Sequence, residues 1–105
     1  MVWMLRFVQE FRADCPEKFL SLEQKFMALE RDVPGFPRGK RWLPVLGREP
    51  KNTLIWESEF SSLEEAAAAL LFLENNNSHE ALLDEQIKYF VRSYAEIYRS
   101  LEVDS

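Results

Sequence analysis

The chain has 105 residues, with 47% hydrophobic and 30% charged side chains, and 13 basic against 18 acidic groups leave a formal net charge of −5. That length holds one domain over 1–105 and no second one, and the composition is that of a globular chain rather than a disordered one. The acidic balance argues against a nucleic-acid binder, and no apolar run approaches the ~20 residues that span a bilayer.

Val2 to Arg12 alternates: Trp3, Leu5, Phe7 and Phe11 share one side, and Met4, Arg6, Val8, Glu10 and Arg12 the other. β-Formers in alternation predict a strand. Asp14-Cys15-Pro16-Glu17 opens a helix, with Asp14 as the capping acceptor and Pro16 in the donor-free first turn. Phe19, Leu22, Phe26, Leu29 and Val33 then recur at helical spacing, while Lys18, Glu23, Lys25 and Glu30 take the remaining positions. Pro34-Gly35 ends it.

Lys40 to Gly47 predicts a strand, which Pro44 confines to an edge or a bulge because it has no N–H for the ladder. Gly47 to Lys51 reads as a hairpin turn. Asn52 to Phe60 alternates again, with Leu54, Trp56 and Phe60 opposite Thr53, Ile55, Glu57 and Glu59. Ser62-Leu63-Glu64-Glu65 is a capping box opening an alanine-rich helix. Asn75 to Asn77 breaks it, and Asn77 to Glu80 caps a further helix with a Leu83, Ile87, Phe90, Val91, Tyr94 stripe. The segment 95–101 reads either as its continuation or as a short last strand.

The order β-α-β-β-α-β is the ferredoxin-like split βαβ unit, an α+β sandwich with helices on one face of a four-stranded antiparallel sheet. The other face would carry Met4, Arg6, Val8, Glu10, Ile55 and Glu57, too apolar for water and too charged for a core. A second copy packed there, a homodimer, is expected, with Arg6 and Glu57 available to pair.

The run Gly47 to Ser58, with Leu54-Ile55-Trp56-Glu57-Ser58 at its centre, leads directly into the helix capped at Ser62. It resembles the hairpin and following strand of the dimeric α/β-barrel superfamily, and within it NIPSNAP-like and antibiotic-biosynthesis-monooxygenase-like domains. The resemblance implies two ferredoxin-like subunits joined into a barrel, each with a pocket between sheet and helices. Some such relatives are cofactor-independent monooxygenases and others degrade haem with an Asn, Trp and His set. That set does not carry over: the first strand lacks the Asn, the second helix opens into alanines, and His79 lies beyond the break.

One cysteine and one histidine allow neither an internal disulfide nor a structural zinc site. Cys15 sits where a helix N-terminus lowers a thiol pKa, but without a Cys or His nearby it reads as unreactive. His79 reads as an exposed residue of a capping region. With Trp56, it is nevertheless the candidate for catalysis if the chain is an enzyme. Trp3, Asn52, Trp56 and Tyr94 are candidates to line a pocket for an apolar small molecule, although large aromatics also simply fill small cores. Glu57 and Glu59 read as charge balance for Arg6 and Arg12, and Arg38, Lys40 and Arg41 as a solvated loop. No phosphate-cradling glycine loop, nucleophile elbow or metal-spaced cluster occurs. Met1 to Phe7 lacks a basic leader and a small-residue cleavage site.

The expectation is a cytoplasmic NIPSNAP-like homodimer without cofactor or metal, binding neither nucleic acid nor membrane and holding an apolar small molecule. The alternatives are a cofactor-independent monooxygenase and a dimerisation module without ligand.

Overall fold

The computed structural model describes residues 1–102, so the end of the expected 1–105 domain lies outside the described residues. Its elements are β1 (Trp3–Phe11), α1 (Pro16–Asp32), β2 (Lys40–Trp42), β3 (Thr53–Phe60), α2 (Leu63–Asn75), α3 (Asn77–Gln86) and β4 (Phe90–Arg99), with a 3₁₀ turn at Ile87–Tyr89. The strands form one antiparallel sheet in the order β2-β3-β1-β4. This is the expected ferredoxin-like α+β arrangement.

The alternation in β1 sets the two faces. Leu5 joins Phe36, Trp56, Ala69 and Leu73 in one buried cluster against which Phe7 packs, and Phe11 joins Phe19 and Leu54 in a second. The odd-numbered residues of β1 therefore face the helices. Met4, Arg6, Val8 and Glu10 share the opposite face with Ile55 and Glu57, as the register Arg6↔Glu57 and Val8↔Ile55 requires. Val8 and Ile55 are already buried within the single chain, at 2% and 9% exposure. Arg6 and Glu57 approach to 3.3 Å within it, although Arg6 Nε makes no hydrogen bond. Glu59 is exposed beside them.

The helix starts differ in detail from their predicted chemistry. Cys15, not Asp14, is the N-cap of α1 and offers no side-chain cap, because Asp14 is bound to the Arg12 guanidinium at 2.7 and 3.1 Å. At α2 the Ser62 hydroxyl accepts the Glu65 N–H at 3.1 Å as expected. Glu65, however, reaches one residue further back and accepts from the Ser61 N–H and hydroxyl. Asn76 ends α2 and caps α3, its side chain accepting the His79 N–H at 2.9 Å. The cap is thus one residue earlier than Asn77.

Two sequence expectations about β-structure need correction. β2 stops at Trp42 rather than Gly47, consistent with the missing N–H of Pro44 at this sheet edge. The stripe through Leu83, Ile87, Phe90, Val91 and Tyr94 does not continue as helix, since α3 ends at Gln86 and β4 begins at Phe90. The free edge of β1 pairs with β4 from Trp3↔Arg99 to Phe11↔Phe90, with a bulge beside Glu10, and this ladder overrides the helical spacing. Residues 95–99 are therefore strand. The bulge returns Phe90 to the helix side, 5.7 Å from Phe19, while Tyr94 lies opposite Val8 on the other face.

Candidate functional site

A cavity of about 280 Å³ lies between the sheet and the helices, bordered by members of both core clusters. It sits at the lower edge of the ~300–1,000 Å³ typical of small-molecule pockets. Phe7, Trp56 and Phe90 come from the strands, Phe26 from α1 and Phe36 from the α1–β2 connection, and Leu73, Leu83 and Ile87 complete the apolar lining. Ile87 is 56% exposed and Ser93 is also exposed, so these two mark the rim.

One side of the cavity is polar, and its construction begins in α1. Glu23 and Glu30 are seven residues apart, two helical turns, and so share one face of α1 with Phe19 and Phe26. Both acids are buried, at 7% exposure each. Arg41 lies between Lys40 and Trp42 on β2 and opposite Trp56, so the pleat turns it toward the helices. Its Nε donates to Glu23 at 2.6 Å, and its two terminal nitrogens donate to the two oxygens of Glu30. Burial opposes the charge on Arg41, but hydrogen bonding and attraction to Glu30 and Glu23 outweigh it and raise the pKa above the ordinary value.

The network extends from both carboxylates. Glu30 also accepts the Gly39 N–H at 2.9 Å and the Trp56 indole N–H at 3.4 Å. Gly39 lies so close to the Trp56 ring that a Cβ there would overlap it. Gln86, 1% exposed, donates to Glu23 at 2.9 Å and to the Phe19 carbonyl at 3.3 Å, tying the end of α3 to α1.

His79 lies in this cavity, not on the surface as its capping position suggested. Its ring centroid is 5.0 Å from that of Phe26 and 6.2 Å from that of Phe36. Burial lowers its pKa, only partly offset by the Glu30 charge and a backbone hydrogen bond at Leu73. The unfolded chain, near the ordinary 6.5, therefore binds a proton more readily than the folded one. The His79 contribution to stability should be fully present above about pH 6.5 and fall as pH drops from there toward the depressed folded value. Urea titrations across this range should show a shallower pH dependence for His79→Gln than for the wild type.

The four pocket candidates separate. Trp56 lines the cavity, whereas Trp3 and Asn52 do not. Asn52 holds the backbone, donating to the Phe11 carbonyl at 2.5 Å. Tyr94 is on the far face, where its hydroxyl donates to Glu49 at 2.9 Å. Arg92 donates to the same carboxylate at 2.8 Å, so the β2–β3 connection reaches β4 across two strands.

Arg41 is not part of a solvated loop, and nothing in the local sequence marks it, Glu23, Glu30 or Gln86 as one site. The available signal for burial was an acid four residues after each of Phe19 and Phe26, on the buried stripe, with Arg41 alternating out of an otherwise exposed strand. Burial and the Asp14 carboxylate push the Cys15 thiol up, opposite to the effect expected at a helix start. Among the described residues no group of three or more His, Cys, Asp or Glu is placed to hold a metal, and no helix is long and apolar enough to cross a membrane.

These features define a ferredoxin-like α+β domain with a cavity between its sheet and its helices. Solved structures of NIPSNAP and antibiotic-biosynthesis-monooxygenase-like proteins share that fold. A NIPSNAP family protein from Agrobacterium tumefaciens superposes with a TM-score of 0.76 at 14% identity, over 98% of this chain and 89% of that one. An uncharacterized NIPSNAP-like domain protein from Burkholderia xenovorans gives 0.75 at 17%, covering 99% and 89%. A putative antibiotic biosynthesis monooxygenase from Nitrosomonas europaea gives 0.68 at 13%, covering 95% and 90%. No protein-family model matches the sequence, and no curated protein matches it either. The chain is thus similar in fold to both groups that the strand and hairpin pattern resembled.

Proposed function

We propose that this is a small cytoplasmic homodimer of the NIPSNAP-like kind that holds a small, mainly apolar molecule between its sheet and helices. The observation that carries the reading is the cavity: aromatic rings from three strands, one helix and a loop line about 280 Å³ of open space. A domain serving only for dimerisation has no need of that space. Calorimetry with 2-phenylethanol, a neutral one-ring probe, should detect binding to the wild type. Ile87→Trp, a large side chain at an exposed rim, should weaken binding at least about tenfold by blocking access. Absence of binding to the wild type, or an unchanged affinity in the variant, would count against this site.

The homodimer is supported by the sheet face without helices. Trp42, opposite Ile55, and Tyr98, opposite Met4, are 52% and 45% exposed on this face, which also carries Tyr94 and the Arg6–Glu57 pair. Sedimentation should report twice 12.4 kDa, and a single-chain mass would refute this assembly. A cytoplasmic setting is supported by the single unpaired cysteine.

A cofactor-independent oxygenase is the second reading, favoured by His79. The His79 imidazole lies in the cavity beside the Phe26 ring, where it can act as general base toward the hydroxyl of an electron-rich phenol. Oxygen uptake with electron-rich phenols, abolished in His79→Gln, would establish it.

A further inference from the structure

The charges lining the cavity do not balance. Glu23 and Glu30 supply two carboxylates and Arg41 one guanidinium, and among the described residues His79 is the only other titratable side chain in the lining. Arg38 is close by, but it donates to the backbone carbonyls of Glu30 and Arg31 and not to either carboxylate. By formal charge the cavity lining therefore carries one acid more than base, on carboxylates that are each only 7% exposed, and charge acts more strongly at such positions than at an open surface.

A second feature is independent of charge. Gln86 is 1% exposed and uses its amide nitrogen twice, toward Glu23 and toward the Phe19 carbonyl. Its side-chain oxygen accepts no hydrogen bond among the described residues. An acceptor on the cavity lining that no protein donor occupies is available to the N–H of a ligand. Gln86 is part of the cavity lining, next to the carboxylate carrying part of the excess charge. Phe7, Phe26, Phe36 and Trp56 line the same cavity, and the faces of such rings attract cations.

We propose that the cavity selects a protonated organic amine, its apolar body against the aromatic walls and its ammonium donating to the Gln86 side-chain oxygen beside Glu23. This rests on the cavity being a ligand site and adds the class of ligand. The leftover charge disfavours anions, and a neutral alcohol of the same size supplies a donor without the charge.

The test is a calorimetric series at pH 7.5 with 2-phenylethylamine, 2-phenylethanol and phenylacetate. The amine should bind about tenfold more tightly than the alcohol, and phenylacetate more weakly than both. Glu23→Gln, which removes the surplus charge while Arg41 keeps Glu30, should bring amine and alcohol to similar affinity. Gln86→Met removes the acceptor, retains the charge and should reduce the amine preference severalfold. If the alcohol binds as well as the amine, the cavity is a ligand site but the amine assignment is wrong. If no probe binds, both fall. An amine preference unchanged in both folded variants would place its origin outside this cluster and overturn the proposal. Should one variant fail to fold by circular dichroism, the amine preference of the other decides it.

Discussion

Arg41→Met should be among the most damaging single substitutions in this chain, costing about 3–5 kcal/mol of stability. The side chain is only 14% exposed and, among the described residues, is the sole cation bonded to both Glu23 and Glu30. Its removal leaves two largely buried carboxylates without their shared cation. Each would have to be resolvated by opening the contact between α1, β2 and the end of α3. Domains of this size are stable by roughly 5–15 kcal/mol in total, so the urea midpoint should fall severely. The mechanism is checked by restoring neutrality: Glu23→Gln and Glu30→Gln added to Arg41→Met should recover part of the loss. Arg41→Lys should fall between the two, because a single ammonium cannot reproduce the fork that bonds both acids. If Arg41→Met unfolds no more easily than the wild type, the buried ion network is not what joins β2 to α1.

Phe19→Ala is expected to cost a comparable amount, about 3–5 kcal/mol, by leaving a void that its neighbours cannot close. Phe19 is fully buried, and its ring stacks on Phe11 at 4.6 Å and meets Phe90 at 5.7 Å. It therefore joins α1 to the end of β1 and the start of β4, the point where the chain leaves helical structure. Phe19→Leu, which keeps most of the volume, should lose far less, and comparing the two separates the void from the loss of ring contacts. Equal losses from both would show that ring stacking, not cavity formation, dominates at this position.

The two substitutions probe parts of the molecule that differed in how legible they were. Phe19 stands out in sequence as the first of a helical stripe, and the structure buries it as the pattern implies. Arg41 sits among Arg38 and Lys40 in a segment rich in Gly and Pro, where solvation is the natural reading. Its burial depends on the acids that α1 brings to it from 18 and 11 residues away. His79 behaves similarly. Its place at a helix start is local, but Phe26 and Phe36, which shield it, arrive from α1 and the connection after it.

By itself, the sequence determined the order of elements up to the second helical region, the two faces of β1 and β3, the stripe of α1 and the break at Asn75 to Asn77, a pattern that pointed to the ferredoxin-like unit while leaving its last strand open. These follow from periodicity and capping chemistry, which act between residues a few positions apart. Only the tertiary structure decided that 90–99 is strand, because the free edge of β1 satisfies its backbone. Tertiary packing likewise placed Tyr94 away from the cavity, through a bulge that reverses side-chain direction after Phe90. The same is true of the polar side of the cavity. Glu23, Glu30, Arg41 and Gln86 are unremarkable surface types one by one, and they become a site because burial removes water and leaves them one another as partners.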